Sequence, residues 1–259
     1  MFHELKKVRA AVGIASVTAV LAMLCGCGGG DNDTTLVNGE TQQVAGRSVT
    51  TWAQVGPNNM VQEVGVTVPA DLIQNPPAQA GAGPAGALVT PAFPAVVQNT
   101  TFFNHFELQW EPNGHPPAVY SVPHFDFHFY GVPVAQVQAV TAPDTAVPDA
   151  SRIPAGYTYP GVNAVVPQMG AHASPDADFA PGAPAFTKTL IFGYYGGNLT
   201  FLEPMITQAF LNQRQNFTIA VPRPAALGRN TLYPTLLTVT YNAGTNSYDL
   251  VFSNFVSVQ

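Results

Sequence analysis

Cysteine is nearly absent. Only Cys25 and Cys27 occur, both close to the N-terminus, so everything after them lacks a thiol and a disulfide. That excludes a cysteine nucleophile and Cys-based zinc sites. Oxidising compartments permit disulfides without requiring them, and more than two hundred residues can bury a core without staples. Charge is scarce as well: Asp, Glu, Lys and Arg make up 9% of the chain, and 9 basic residues face 15 acidic ones. This balance gives no electrostatic footprint for nucleic acid, and no block of like charge forms a tail. The surface must therefore rely on Asn, Gln, Thr, Ser and backbone polarity. Three motifs are also missing: G-x-S-x-G, a phosphate-binding glycine loop and HExxH. No internal repeat of fixed period is present.

The first 26 residues read as a leader. Lys6, Lys7 and Arg9 precede Ala10 to Leu24, which is uncharged and mostly apolar. This is the layout of a secretory signal. The run is shorter than the roughly 20 residues a transmembrane helix needs. A retained membrane anchor is the plain alternative, and the small residues that end the run speak against it. Leu24-Cys25-Gly26-Cys27 resembles the lipobox of bacterial lipoproteins, with a small residue before Cys27; Cys25, preceded by Leu24, fits worse. The resemblance implies cleavage before Cys27, diacylglycerol on its sulfur and an acyl chain on its amino group. More than one chain makes such an anchor stable. Gly28 after the cysteine implies the outer membrane, with the protein facing the periplasm. Removing Lys6, Lys7, Arg9 and Glu4 leaves 6 basic and 14 acidic residues, a net of −8.

Residues 27–46 follow as lipidated Cys27 and a Gly, Asp, Asn and Thr-rich flexible tether. One β-rich domain is expected over 47–259. Ser48 to Val55 and Gln62 to Val68 read as strands, and Val68 to Ile73 holds room for one helical turn. Asn75 to Pro94 and Thr141 to Pro160 are rich in Pro, Ala and Gly and read as long loops. Thr101 to Trp110 and His124 to Tyr130 alternate strictly. Lys188 to Tyr195 and Asn198 to Leu202 form a hairpin around Gly196-Gly197. Asn216 to Val221 is a further strand, and Thr235 to Asn242 with Ser247 to Val256 closes the chain as a hairpin. Pro204 suits a first helical position, and Met205, Ile206, Ala209 and Phe210 recur at helical spacing. The expected fold is mainly β, an antiparallel barrel or sandwich with one short helix and long Pro/Gly/Ala-rich loops.

Histidine is concentrated. Beyond the leader the chain has His105, His115, His124, His128 and His172, and the first four fall within 24 residues of each other. On the two alternating strands Phe residues share one face, while His105, Glu107, His124, Asp126 and His128 share the other. If the strands are neighbours, these side chains form one patch. Residues i and i+2 lie about 6.7 Å apart and i and i+4 about 13 Å, while a metal–imidazole bond is about 2.0–2.1 Å. One ion therefore cannot take both His124 and His128 from a straight strand. One histidine with Asp126 can bind it, or Asp126 can orient an imidazole, with His105, Glu107, His172 and Glu203 as further candidates. The plain alternatives are the wet side of an antiparallel sheet or a buried network without an ion. Glu111-Pro-Asn-Gly-His115-Pro-Pro117 reads as a surface turn, though it could aim His115 inward. Glu203 alone reads as a charge at a helix start.

Gly114-His115-Pro116-Pro117, Pro123 to Tyr130 (PHFDFHFY), Met169-Gly-Ala-His172 and Phe201-Leu-Glu-Pro-Met205 together resemble a family of bacterial proteins of unknown function. The resemblance spans about His105 to Asn212. It implies a secreted β-rich domain and a homo-oligomer, and no reaction. Cupins and α-type carbonic anhydrases also place strand histidines on a metal, but here the histidines are four apart with Asp between them, so only site chemistry is analogous. Three functions remain open. One is metal binding through His124, Asp126 and His128, with His172, Glu203 and His105 as further ligands; zinc suits that donor set, with copper, nickel or iron also open. The second is a metal-dependent hydrolase or lyase acting on a small molecule, with Glu107 or Glu203 as general base. The third is a non-catalytic envelope or assembly protein whose histidines are structural.

Overall fold

Two alternating strands form the centre of the molecule. His105–Glu111 (β5) and His124–Tyr130 (β6) pair antiparallel, with Glu107 opposite His128 and Gln109 opposite Asp126. Because side chains alternate across a strand, Phe106, Leu108, Trp110, Phe125, Phe127 and Phe129 point to one side and the His and acid residues to the other.

The computed structural model describes residues 34–78 and 86–259, and the strands and α-helices below are numbered in chain order along them. The leader, Cys27 and part of the expected Asn75 to Pro94 loop lie outside the described residues. Thr35–Val44 (β1), Arg47–Val55 (β2) and Val61–Pro69 (β3) open the fold, followed by the short helix Ala70–Gln74 (α1). Ala87–Val89 (β4) and Ala95–Thr100 (α2) lead into β5 and β6. After Val134–Gln138 (α3) come Tyr157–Thr158 (β7), Val165–Val166 (β8), Gly170–Pro175 (β9), Lys188–Tyr195 (β10), Asn198–Thr207 (β11) and Gln208–Leu211 (α4). Phe217–Ala220 (β12), Thr231–Tyr233 (β13), Leu236–Asn242 (β14), Ser247–Ser253 (β15) and Val256–Val258 (β16) complete the chain.

The strands build a six-stranded sheet in the order β1-β2-β3-β15-β14-β12 and an eight-stranded sheet in the order β4-β5-β6-β11-β10-β9-β7, with β8 on β9. β13 and β16 pair separately. Neither large sheet closes on itself, so the fold is an antiparallel sandwich and not a barrel. The core lies between the sheets. Phe129 of β6 meets Phe252 of β15 edge to face at 4.7 Å, and Phe103 packs on the same ring. Val64, Val66, Leu237, Val239 and Leu250 fill the facing side.

The eight-stranded sheet is buried on its other face too. The connections 112–123 and 131–169 return over it and pack in small groups. Tyr120 sits with Ile191 and Met205, Val137 and Met169 with Tyr130 and Phe201, and Val140 and Val165 with Ala171. A solvated outer face is thereby excluded for β5 and β6.

Two expectations change. The tether predicted up to residue 46 contains β1, which pairs with β2 over Thr35 to Val44 through a turn at Ala45-Gly46. Its alternation is carried mostly by polar residues, as suits an edge strand with one side in water, so hydrophobic patterning does not reveal it. The helix predicted from Pro204 starts only at Gln208, where Thr207 Oγ1 accepts from the Phe210 N–H. Glu203 to Thr207 belong to β11 instead. Pro204 faces Leu190 of β10, and pairing to β6 is interrupted at Glu203 and Pro204, where proline has no N–H to offer. Tertiary pairing on both sides overrides the local helical spacing.

Candidate metal centre

β6 supplies His124, Asp126, His128 and Tyr130 to the covered face, and β5 supplies His105, Glu107, Gln109 and Glu111. β11 adds Glu203, and β9 adds His172, which lies opposite Gly193 of β10. His124, Asp126, His128 and Glu203 are 2% exposed or less. His115, read from sequence as part of a surface turn, folds onto this face. Gly114 makes that return possible: its φ is +64°, and a Cβ there would sit 2.2 Å from the Tyr120 carbonyl oxygen.

The groups fall into two sets of three. His115, His124 and Asp126 form one, and His128, His172 and Glu203 the other; within each, one donor atom per residue lies within 4.8 Å of the others. His124 Nε2 is 3.1 Å from Asp126 Oδ1, and His115 Nε2 is 3.5 Å from Oδ2. In the second set His128 Nε2 is 3.5 Å from Glu203 Oε1, and His172 Nε2 is 3.6 Å from Oε2. His124 and His128, four residues apart on β6, thus belong to different sets, as the strand spacing requires.

Tautomers give these distances meaning. His124 Nδ1 is 2.7 Å from the Val122 carbonyl oxygen, and His115 Nδ1 is 2.8 Å from that of Pro116. A carbonyl only accepts, so each Nδ1 carries a proton and donates it. In a neutral ring Nε2 is then a lone pair aimed at carboxylate oxygen. Such an arrangement needs a cation between the partners, either a proton or a metal ion. Four ligands 2.0–2.1 Å from a tetrahedral ion are about 3.3 Å from each other; each imidazole stands 3.1–3.6 Å from its own carboxylate oxygen, and one donor atom from each residue of a set lies within 4.8 Å of the others.

The face is not satisfied by its own hydrogen bonds. Among the described residues, buried side-chain atoms without a partner include His105 Nδ1 and Nε2, His124 Nε2, Asp126 Oδ1, both His128 nitrogens, Tyr130 OH and Glu203 Oε2. His124 Nε2 and Asp126 Oδ1 are close, but they are not aligned as a hydrogen bond. Each such atom costs about 1–3 kcal/mol if left unmade, so the donor set fits a bound ion better than a closed network.

Charge states follow from burial. Burial alone would raise the Asp126 carboxyl, yet the His115 and His124 imidazoles hold it below the usual carboxylate range. His115 is opposed by burial but lifted by Asp126, the Pro116 carbonyl and Glu111 to about 9. Burial pushes His128 down to about 3 and His172 to about 4. Burial first, then the charges of Asp126, Glu111 and Glu107, drives the Glu203 carboxyl well above its ordinary value. Burial and Asp126 also raise Glu107 and Glu111 to about 7. The second set is therefore two neutral imidazoles, already in the form a metal takes from histidine, beside a carboxyl whose charged form is disfavoured by burial.

Not every candidate joins a set. His105 stacks on Tyr130 at 4.8 Å and belongs to neither set. Glu107 accepts from Gln109 Nε2 at 2.6 Å and approaches His128 Nδ1 only to 4.0 Å. His115 and Glu111 are the residues that sequence reasoning undervalued; the glycine and paired prolines around His115 were the available signal for a tight return onto β6.

A cavity of about 470 Å³ opens over the face, and Glu111, His115, Asp126, His172 and Glu203 line its polar part. It reaches both sets. Three protein ligands per ion would leave a coordination position open towards it.

Compared with protein-family models, with curated proteins and with solved structures, the chain finds no match.

Proposed function

We propose that this protein binds a divalent transition metal, zinc best matching the donor set, through His115, His124 and Asp126 and through His128, His172 and Glu203. The observation that carries the reading is the pair of Nδ1-anchored imidazoles whose Nε2 atoms converge on the buried Asp126 carboxylate. The leader and lipobox support placing this domain in the cell envelope, exported and anchored through Cys27 at the outer membrane facing the periplasm. The block resemblance supports a homo-oligomer.

A metal-dependent hydrolase or lyase is the second reading, favoured by the cavity that meets both sets. An ion there supplies Lewis acidity. Glu111 lines the cavity with a carboxyl raised to about 7, and it would accept the proton of a water or substrate at the cavity floor. It takes the role expected of Glu107 or Glu203: Glu107 is held by Gln109 and does not line the cavity, and Glu203 belongs to a ligand set.

Elemental analysis of the purified protein, free of a histidine tag, tests the proposal. An Asp126→Asn/His128→Ala variant, one change in each set, is run beside it. Near-stoichiometric metal in the parent and its loss from the folded variant is the expected result. No metal after exposure to zinc, copper, nickel and iron would overturn both readings and leave a structural role for the face.

A further inference from the structure

The cavity itself is selective. Its buried polar lining comes from the strands, with Gln109 and Glu111 on β5, Asp126 on β6 and Glu203 on β11. Its walls are apolar: Tyr120, Met169, Ile191 and Met205. The solvent-exposed residues that line it are apolar as well: Pro116, Pro117, Pro160, Ala164 and Val166. Among the described residues no lysine or arginine lines it. A ligand with several negative charges, such as a phosphate ester, would find no lysine or arginine counter-charge and would meet Asp126 and Glu111. A fully apolar ligand would leave the ligand ends of both sets unused.

We infer that the cavity takes a small molecule with an apolar body and a single monoanionic or neutral oxygen-donor head, a carboxylate or carbonyl, directed at the ion-binding end. The inference rests on the metal-binding reading above. A volume of about 470 Å³ falls within the usual range for small-molecule sites, about 300–1,000 Å³. Met169 and Met205 add unbranched, polarizable walls that adapt to the shape of the body. Specificity then divides into two parts: the ion selects the head, and the walls select the body.

Cobalt(II)-loaded protein separates the two parts. Its visible absorption bands report the metal, and their change on titration reports a ligand reaching it. The probes are 4-phenylbutyrate, acetate and inorganic phosphate. The expected result is that phenylbutyrate perturbs the bands at least tenfold more tightly than acetate, with phosphate weakest. An Ala164→Trp variant, altered at an exposed lining residue that belongs to neither ligand set, should keep the parent cobalt spectrum and melting temperature but lose the preference for phenylbutyrate. Equal affinity for acetate and phenylbutyrate, tighter phosphate, or an unchanged preference in Ala164→Trp would overturn the ligand assignment while the metal reading stood. Absence of cobalt bands would overturn both.

Discussion

A metal ion at the first set must displace a proton, and this fixes how its affinity changes with pH. His115 rests at about 9 in the metal-free protein, so at pH 7 nearly every molecule carries that proton. Removing it costs RT ln(1 + 10²), about 2.7 kcal/mol, or about a hundredfold in apparent affinity. Below its pKa the group contributes about a tenfold loss per pH unit. Zinc affinity should therefore rise about a hundredfold from pH 6 to pH 8 through His115 alone. A chromophoric chelator of known proton linkage, competing for zinc at several pH values, measures the slope. In His115→Gln binding should be weaker at pH 8 and the slope shallower by about one decade per pH unit. The same proton sets a stability window in chelated protein. The folded value lies above the unfolded 6.5, so the contribution is fully present below about 6.5 and is lost as pH rises through about 9. The shift corresponds to at most about 3.4 kcal/mol, trimmed by screening because the His115 side chain is 25% exposed. A zinc affinity flat across pH 6–8, or a His115→Gln slope equal to the parent's, would refute the tautomer and charge assignment.

Further tests separate the two sets and the core. Glu203→Gln should leave chelated stability at pH 7 within about 0.5 kcal/mol, because burial and the neighbouring carboxylates disfavour the charged form that the amide replaces. It should nonetheless remove metal from the second set, as read by chemical denaturation beside metal stoichiometry. Asp126→Asn should cost chelated stability outright, about 3–5 kcal/mol, since it strips a buried charge from its imidazole partners; an unchanged denaturation midpoint would contradict this. Gly193→Ala places a Cβ 1.9 Å from the Phe201 ring, which packs on His128 and His172 at 5.0 and 5.2 Å. It should cost about 1–3 kcal/mol and weaken the second set, so normal metal content in this variant counts against that packing. Zinc at a hundred times its dissociation constant should stabilise the protein by about 2.7 kcal/mol, and a chelator should reverse the shift in melting temperature.

The two aromatic strands were legible because each carries its pattern at period two: Phe125, Phe127 and Phe129 against His124, Asp126 and His128. Which side chains would share one polar patch, if the two strands paired, followed from that alternation, and they do pair. What period two cannot report is the third layer. Whether the His face is wet or covered depends on where the Pro/Ala-rich connections run, and those connections carry no periodicity to read. His115 was obscured for the same reason, since a turn's direction is set by contacts such as Gly114 against the Tyr120 carbonyl, far from the reach of local propensity. Pro204 misled for a different reason. A proline in a central strand is disfavoured unless a ladder bond is given up, and here the bond is given up beside Glu203.

The ligands differ in what carries them. His128, His172 and Glu203 all stand on strands of one sheet, so hydrogen-bonded ladders hold their spacing whether or not an ion is bound. In the first set His124 and Asp126 share that support, but His115 rides on the connection between β5 and β6. It is the donor that can swing aside without breaking a sheet. Metal exchange at the two sets should thus run on different clocks: the first set releases and recaptures its ion at the rate of a turn's motion, whereas the second must wait for a strand to yield. A protein loaded at both would lose its ions to a chelator in two phases, with the His115 set emptying first.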